Sequence, residues 1–323
     1  MTSSELGATR TMLSIVVPVY RGQQTLLPLV ERLEAVLGVL GPDYEILLVD
    51  DGSPDGSWKV IEELAAARPR VRGLALMRNY GQHNALLAGV RSARGELVVT
   101  MDDDLQNPPE EVPRLLARLE NGFDVVYGTP RTMQHGVWRN FASRLTKLAL
   151  QSMMGAETAS RVSAFRAFRT QLRDGFDRYS GPFVSLDVLL TWSTDRFGHV
   201  EVAQAPRGAG ESNYTFRMLV RHALDMLTGF STWPLRVASL VGFVFTLVGA
   251  ATLAFVVGRY LLQGSSVPGF PFLASVIAIF SGAQLFALGM IGEYLARIHF
   301  RTMDRPAYVV RGATRPPGSQ PSA

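Results

Sequence analysis

The sequence predicts a doubly wound α/β domain with a mostly parallel sheet, followed by amphipathic segments and two transmembrane helices. Apolar segments rich in β-branched residues alternate with helical patterns over residues 13–101, and two long uncharged runs lie between residues 237 and 292. The length of 323 residues is sufficient for about two domains. The absence of cysteine excludes disulfides and a thiolate nucleophile, and the spacing of the five histidines disfavours zinc hydrolase chemistry.

Strands and helices alternate regularly in the first part of the chain. We expect strands at residues 13–19, 44–49, 71–77 and 97–101, with helices at residues 24–40, 57–67 and 83–93 between them. In a sheet of this kind, ligands bind at the carboxyl ends of the strands. Two of the strands run directly into acidic residues, which are Asp50-Asp51 and Asp102-Asp103-Asp104. These carboxylates are therefore expected to share one crevice.

The acidic residues favour a nucleotide site that depends on a divalent cation. Neither a G-x-G-x-x-G fingerprint nor a G-x-x-x-x-G-K-[ST] loop occurs, which disfavours dehydrogenase and P-loop ATPase functions. Carboxylates bind a diphosphate only through a cation, so Mg²⁺ or Mn²⁺ is expected. In an extended chain, Asp102 and Asp104 would lie on one face and Gln106 would continue that face. A solvated acidic turn is the alternative interpretation of an isolated Asp-x-Asp pair.

Charge is almost absent from residues 237–292, where Arg259 is the only charged side chain. As helices, residues 237–258 and about 272–292 would each reach ~30 Å, enough to cross a bilayer once. Residues 264–269 contain Gly, Ser and Pro, which predicts a short connecting loop. Basic residues outside both runs predict cytoplasmic ends, and no signal peptide is apparent. A helical hairpin buried in a large soluble core is the alternative.

Four ordered motifs resemble those of family 2 glycosyltransferases with the GT-A fold, in the polyprenyl-phosphate branch. The motifs are Val16-Val17-Pro18-Val19-Tyr20, Val49-Asp50-Asp51-Gly52-Ser53-Pro54-Asp55-Gly56, Arg78-Asn79-Tyr80-Gly81-Gln82-His83-Asn84-Ala85 and Asp102-Asp103-Asp104-Leu105-Gln106-Asn107-Pro108-Pro109. The resemblance covers about residues 12–311. The branch includes dolichyl-phosphate mannose synthases and bacterial undecaprenyl-phosphate transferases, among them the aminoarabinose type.

The resemblance implies roles for residues on the donor side of the site. The nucleotide sugar would be bound by Pro18, Tyr20, Asp50, Asp51 and Asp102. The metal ion and the diphosphate would be held by Asp102, Asp104 and Gln106. Arg207 would reach the diphosphate, and it would act in catalysis together with Asp102 and Asp104. Ordinary turn, cap or surface positions are the alternative for each of these residues.

The resemblance also implies a site for the acceptor phosphate, formed by Arg131, Arg139 and Ser143. The last two and Lys147 recur every four residues, which places them on one face of a helix predicted at residues 138–154. Two hydrogen-bonding groups one turn apart suit a phosphate, and we interpret this helix as interfacial. A solvated helix face is the alternative. A second amphipathic stretch at residues 216–230 would lead into the membrane.

Two positions depart from the family pattern. Asn213 occupies the place of the usual lysine, which leaves Arg207 and the metal ion to stabilise the leaving diphosphate. Ala164, in Ser163-Ala164-Phe165-Arg166, occupies the place of an Asp that is proposed as the base in many relatives. A phosphate monoester is mostly a dianion at pH 7, so an acceptor of this type needs no proton removed. This chemistry predicts inversion at the sugar.

We therefore expect a membrane-anchored, metal-dependent hexosyl- or pentosyltransferase. It would move one sugar from a UDP- or GDP-linked donor to undecaprenyl phosphate at the cytoplasmic face of the bacterial inner membrane, with no nucleic-acid partner. The expected organisation is an N-terminal extension (1–11), a GT-A domain (12–213), an amphipathic segment (214–234), a transmembrane hairpin (235–292) and a cytoplasmic segment with a disordered tail (293–323).

Several alternatives to this function remain open from the sequence. One is a catalytically silent subunit of a glycolipid export system that binds nucleotide sugar or lipid. A processive polysaccharide synthase is disfavoured because the chain lacks a Gln-x-x-Arg-Trp motif. A soluble peptide acceptor is disfavoured because it needs no amphipathic route into the bilayer. Small residues in the two apolar runs are compatible both with a hairpin inside one chain and with a homo-oligomer.

Overall fold

The computed structural model contains two compact units. The described residues are 13–41, 43–130, 161–181, 184–205, 233–263, 269–303 and 305–314. Among them, residues 13–205 and 305–314 belong to the first unit, and residues 233–303 belong to the second. The amphipathic helices predicted at residues 138–154 and 216–230 lie outside the described residues.

The first unit is built on a sheet to which eight strands of the described part of the chain contribute. They are β1 Leu13–Val19, β2 Tyr44–Asp50, β3 Val71–Leu76, β4 Leu97–Thr100, β5 Val125–Pro130, β6 Arg166–Arg169, β7 Phe197–Val202 and β8 Val310–Ala313. Their order is β7-β5-β6-β4-β1-β2-β3-β8. Parallel pairs join β1 to β2 and β4, β2 to β3, and β5 to β7, whereas β6 and β8 are antiparallel to their neighbours. This mixed, mostly parallel sheet confirms the predicted fold class.

Helices cover both faces of the sheet. They are α1 Leu26–Leu40, α2 Ser57–Ala67, α3 Gln82–Ser92, α4 Val112–Glu120 and α5 Leu186–Leu190. One apolar core lies between the sheet and α1, α2 and α4, and the other lies between the sheet and α3 and α5. Ile46 and Leu48 of β2 belong to the first core, while Leu47 and Val49 belong to the second. Burial on both faces explains why the parallel strands are almost continuously apolar.

The three helices and four strands predicted over residues 13–101 are confirmed, with ends that differ by two residues at most. Strands β5 to β8 were not predicted. β6 begins and ends with arginine, and β8 has only four residues, Val-Arg-Gly-Ala. Such short, polar segments lack the period-two apolar pattern that identifies a strand from sequence, so their pairing depends on the rest of the sheet.

A buried arginine connects β4, β6 and α5. Arg166 pairs with Asp187 and donates a hydrogen bond from Nε to Thr100 Oγ1 at 3.1 Å. The Tyr127 hydroxyl donates to Asp187 Oδ1 at 3.0 Å, and Thr100 Oγ1 donates to the Ala164 carbonyl at 2.8 Å. Burial, and then the charge of Asp187, raise the pKa of Tyr127 well above 10, so this hydroxyl stays a donor. The network fixes the end of β4 through directed contacts.

The second unit consists of two long apolar helices, α6 Trp233–Gln263 and α7 Phe270–Thr302. Leu235–Arg259 and Ile279–His299 are long and apolar enough to cross a membrane, and neither stretch is buried inside the protein as a soluble core helix would be. The rings of Phe245 and Phe280 meet edge to face, with centroids 5.9 Å apart. The two predicted apolar helices are confirmed, while residues 264–268 of the predicted loop lie outside the described residues.

Asp187→Ala tests the buried network. The substitution leaves the charge of Arg166 inside the protein without its carboxylate partner, a change that costs about 3–5 kcal/mol. We expect the midpoint of thermal unfolding of the purified protein in detergent to fall by about 10 °C. Lys59→Ala, which removes an ammonium group that is 82% exposed, is the control and should shift the midpoint by no more than about 2 °C. Similar shifts for the two variants would contradict the role of the network.

Candidate active site

Three consecutive aspartates, Asp102 to Asp104, follow β4 at its carboxyl end. The strand ends at Thr100, and the chain turns at residues 103–104 instead of continuing as a strand. Leu105 has a φ of 61°, a left-handed conformation that is strained for leucine. The expectation that residues 102–106 form an extended chain is therefore wrong. The carboxylates are brought together by a turn, and not by strand alternation.

Two glutamine side chains orient the outer aspartates of this turn. Gln82 Nε2, at the start of α3, donates to Asp102 Oδ1 at 2.6 Å. Gln106 donates to Asp104 twice, from Nε2 at 2.6 Å and from its backbone N at 3.1 Å. Gln106 Oε1 in turn accepts a hydrogen bond from Gln204 Nε2 at 3.4 Å. In this arrangement Gln106 positions Asp104.

The middle aspartate, Asp103, is enclosed between the loops that follow β1 and β4. Its Oδ2 atom is buried and has no hydrogen-bond partner among the described residues. A side chain at Gly22 would collide with this oxygen, so the glycine permits the close approach of the two loops. Burial, and then the charges of Asp102 and Asp104, raise the pKa of Asp103 to about 7. The turn therefore places three carboxyl groups close together, and the position of the middle one disfavours its charged form.

A second pair of carboxylates, Asp50 and Asp51, lies at the carboxyl end of β2. Asp51 accepts hydrogen bonds from the backbone N–H groups of Tyr80 at 2.7 Å and Gly81 at 2.8 Å. Asp50 Oδ1 accepts from the N–H of Ser53 at 3.2 Å, within its own turn. Burial is the main cause that raises the pKa of both carboxyl groups. Asp51 thus anchors the loop before α3, and Asp50 is held in the turn that follows β2.

Strand β1 lies between the two acidic strand ends. Pro18 is paired with Val49 in the sheet, and Tyr20 follows β1 with 46% of its surface exposed. The guanidinium of Arg21 lies 5.5 Å from the centre of the Tyr20 ring, and Arg21 has a φ of 60°. Arg21 and Leu105 are the two non-glycine residues with positive φ in the described part of the chain. Backbone strain in the loops after two adjacent strands is typical of a functional site.

The structure places seven of the candidate residues at the carboxyl ends of three neighbouring strands. They are Pro18, Tyr20, Asp50, Asp51, Asp102, Asp104 and Gln106. The ends of β2 and β4 are two strand spacings apart, about 10 Å. The other four candidates, Arg131, Arg139, Ser143 and Arg207, lie outside the described residues. Two further residues contact this site, Gln82 and Gln204; the sequence motif that contains Gln82 does not predict this contact, and no sequence signal indicates Gln204.

Ala164 lies beside the acidic turn. Thr100 of β4 is paired with Arg166 of β6, and the two strands are antiparallel. Thr100 Oγ1 donates a hydrogen bond to the Ala164 carbonyl at 2.8 Å, so Ala164 lies at the end of β4, close to the start of the acidic turn.

The chemistry of the turn fits a hard divalent cation. Carboxylate and amide oxygens are the ligands that Mg²⁺ prefers, and this ion usually retains waters and substrate phosphates as its remaining ligands. In the described part of the chain, no group of three or more His, Asp or Glu side chains forms a complete metal-ligating cluster. A cation at Asp102 and Asp104 would therefore need ligands from the substrate. The Oδ2 atom of Asp103 is buried without a hydrogen-bond partner among the described residues, and a cation at the turn would stabilise its negative charge.

Comparison with known proteins gives consistent results. Residues 14–180 match the family described as Glycosyl transferase family 2. The chain is 36% identical over 307 residues to the undecaprenyl-phosphate 4-deoxy-4-formamido-L-arabinose transferase of Klebsiella pneumoniae, which covers 94% of both chains. The transferase of the same name from an Enterobacter species is 38% identical over 303 residues and 92% of both chains.

A solved structure supports the fold independently. Glucosyl-3-phosphoglycerate synthase from Mycobacterium tuberculosis, in complex with Mn²⁺ and UDP-glucose, superposes with a TM-score of 0.50 at 20% identity. The match covers 71% of this chain and 83% of that one. At this level of identity, the likeness establishes the fold alone.

The raised pKa of Asp103 predicts a pH-dependent gain in stability for Asp103→Asn. A carboxyl with a folded-state pKa near 7, against an ordinary value of 3.8, contributes stability that is fully present below pH 3.8 and is lost as the pH rises through 7. Because each unit of difference between the folded-state and ordinary pKa corresponds to 1.36 kcal/mol, this loss is at most about 4 kcal/mol.

Without divalent cations, Asp103→Asn should therefore unfold at a higher temperature than the wild type at pH 8, and the difference should vanish near pH 4. Thermal unfolding in EDTA-containing buffer measures both. Asp177→Asn, at a carboxylate that is 64% exposed, is the matched control. Equal midpoints for wild type and Asp103→Asn at pH 8 would show that burial and the neighbouring charges do not disfavour the charged form of Asp103.

Proposed function

Because this chain belongs to glycosyl transferase family 2, we propose that it transfers a single sugar from a nucleotide sugar to undecaprenyl phosphate. Relatives that share 36–38% identity over 92–94% of both chains are named for that acceptor and for 4-deoxy-4-formamido-L-arabinose. We propose that the transferred sugar is the same one or a related pentose. The main observation behind the proposal is the position of the acidic turn after β4. It lies two strand spacings from the acidic end of β2 in a sheet of the GT-A type.

The proposed donor site runs along the carboxyl ends of β2, β1 and β4. The base and ribose of a UDP- or GDP-linked sugar would lie against Tyr20 and Asp50, and the diphosphate would lie at Asp102 and Asp104. Mg²⁺ or Mn²⁺ bound to these two aspartates would neutralise the diphosphate and stabilise it as a leaving group. Gln106 would act as a further ligand only after its amide turns, because its nitrogen faces Asp104. Arg207 would add positive charge at the diphosphate.

The acceptor phosphate supplies its own nucleophile. Its second pKa is near 6, so a phosphate oxygen at pH 7 attacks the anomeric carbon without a protein base. Arg131, Arg139 and Ser143 are the proposed contacts of this phosphate. The protein's task is to align that oxygen behind the bond that breaks, which inverts the configuration at the sugar. Ala164 is compatible with this chemistry because no proton has to be removed.

We also propose the setting of the reaction. The two apolar helices would span the bacterial inner membrane and keep the catalytic domain on the cytoplasmic side, at the surface where the phosphate of a polyprenyl lipid is exposed. The domain limits proposed from the sequence are 12–213 for the GT-A domain, 214–234 for the amphipathic segment and 235–292 for the hairpin. Assembly into a homo-oligomer is compatible with the small residues of these helices.

Reconstitution of the purified protein tests this function. Wild-type protein with undecaprenyl phosphate, Mg²⁺ or Mn²⁺ and a panel of UDP- and GDP-sugars should yield a glycolipid that mass spectrometry identifies. Asp104→Ala should lower kcat by about 10²–10³-fold, because the stabilisation of the leaving group is lost. Glu63→Ala, at a carboxylate that is 66% exposed on α2, should retain wild-type activity.

Two outcomes would contradict the proposal. One is the absence of glycolipid with every donor in the panel, and the other is full activity of Asp104→Ala. A silent nucleotide-sugar or lipid-binding subunit would bind donor without any metal-dependent turnover. Metal-dependent hydrolysis of the donor in the absence of acceptor therefore separates that alternative from an enzyme.

Ala164→Asp tests whether the reaction proceeds without a base. A dianionic acceptor needs no proton removed, so we expect kcat at pH 7.5 to change by no more than about threefold. Ala164→Asn, which has nearly the same size and no charge, separates steric effects from electrostatic ones. An increase of orders of magnitude in kcat for Ala164→Asp alone would show that the wild-type enzyme lacks a base that it needs.

A further inference from the structure

A short connection joins the second apolar helix to the catalytic sheet. α7 ends at Thr302, and Ala307 and Tyr308 already pack on the apolar core that includes α3. The guanidinium of Arg91 in α3 lies 5.9 Å from the centre of the Tyr308 ring and helps to hold this segment. Five peptide links separate Thr302 from Ala307, a length of chain that spans at most about 18 Å.

The segment after this connection meets β3 at its carboxyl end. Met77, which follows β3, donates a hydrogen bond from its backbone N to the Val309 carbonyl at 2.9 Å, and Leu76 is paired with Val310 of β8. The strands β1, β2, β3 and β4 are parallel, so their carboxyl ends lie at one edge of the sheet. The chain from α7 therefore enters the sheet at the edge that carries the acidic turn.

An exposed patch of apolar and cationic side chains surrounds this entry point. We call it the β8 edge patch, and it consists of Met77, Arg305, Val309, Val310 and Arg311. Its three apolar side chains are 57%, 41% and 42% exposed in that order, and both arginines are exposed. β8 is the last strand in the sheet order, so its outer side has no partner strand in the part of the chain that the structure describes. Exposed apolar edge strands are normally covered, because they promote association.

The composition of the patch fits the surface of a bilayer. Apolar side chains at such a surface reach the boundary of the acyl chains, while arginines bind the phosphates of anionic headgroups. Residues 301–311 contain three arginines and one aspartate, so the charge of this segment is complementary to an anionic leaflet. A soluble protein partner has no reason to bind directly after α7, whereas headgroups lie at the end of any helix that spans a membrane.

We propose that the β8 edge patch contacts the anionic headgroups of the leaflet from which α7 emerges. This inference rests on the proposed function, because it takes α6 and α7 to span the membrane. The short connection keeps the patch within reach of the headgroups, where Arg305 and Arg311 bind lipid phosphates. Met77, Val309 and Val310 are then covered by lipid instead of water. The contact holds the carboxyl edge of the sheet, which carries the proposed donor site, beside the lipid surface.

Nitroxide labels on single cysteines test this contact, since the chain has no cysteine of its own. The full-length protein is reconstituted in nanodiscs of phosphatidylcholine with or without phosphatidylglycerol. For each label, the ratio of collisions with oxygen to collisions with a water-soluble nickel complex reports lipid contact independently of steric burial. With phosphatidylglycerol, this ratio should be at least about threefold higher for Met77→Cys and Val310→Cys than for Val39→Cys. Val39 is the control because it is 88% exposed in α1, near the amino end of β2.

Two double variants test the contribution of charge to the contact. Arg305→Gln combined with Arg311→Gln should lower the ratio at the Met77→Cys label to near that of Val39→Cys. Arg305→Lys combined with Arg311→Lys keeps both charges and should match the protein with both arginines. Omission of phosphatidylglycerol should have the same effect as the glutamine variant, because the headgroups then carry no net charge.

The outcomes separate this inference from the proposed function. Equal ratios for all three labels in phosphatidylglycerol discs would overturn the inference, while glycolipid synthesis by the same protein would leave the proposed function intact. Dipolar broadening of the Val310→Cys spectrum would show that β8 pairs with a second copy of the chain, and this result would also overturn the inference. If the protein does not float with lipid and forms no glycolipid, both the proposed function and the inference fail.

Discussion

The burial of one carboxyl group between two others, Asp103 between Asp102 and Asp104, is the constraint on which the site depends. Asp103 is buried against the loop after β1, while Asp102 and Asp104 flank it in the same turn, and the pKa of Asp103 rises to about 7 as a result. Above pH 7 the charged form of Asp103 is unfavourable in this position, and positive charge brought by a ligand would stabilise it. A cation that brings a diphosphate supplies this charge, which links the buried carboxyl group to the proposed use of the turn.

The rest of the fold holds the turn in that unfavourable arrangement. The buried Arg166–Asp187 pair and Thr100 fix the end of β4, and Gln82 and Gln106 orient the outer carboxylates. The fold thus supplies rigid support beneath a strained loop, whose cost is visible in the positive φ of Leu105. The packed sheet therefore holds the turn in a conformation that the loop would not adopt without this support.

The first four strands and three helices could be predicted because they bury apolar residues on both faces of a parallel sheet, which leaves a clear sequence pattern. The same pattern predicts that acidic residues come directly after β2 and β4. β8 could not be predicted, since a bulged four-residue strand with arginine and glycine has no period. The enclosure of Asp103 by Gly22 depends on contact between residues 81 positions apart, which no local pattern encodes.

Binding of Mn²⁺ to the protein, followed by electron paramagnetic resonance in the presence and absence of UDP, tests the central claim most directly. We expect one Mn²⁺ per chain, bound weakly alone and more tightly with UDP, because the turn supplies carboxylates and the diphosphate supplies the remaining oxygens. Combined replacement of Asp102 and Asp104 by Asn should abolish this binding. Equal Mn²⁺ affinity with and without UDP, or undiminished binding by the double variant, would contradict the assignment of the acidic turn as the site of a metal-bound diphosphate.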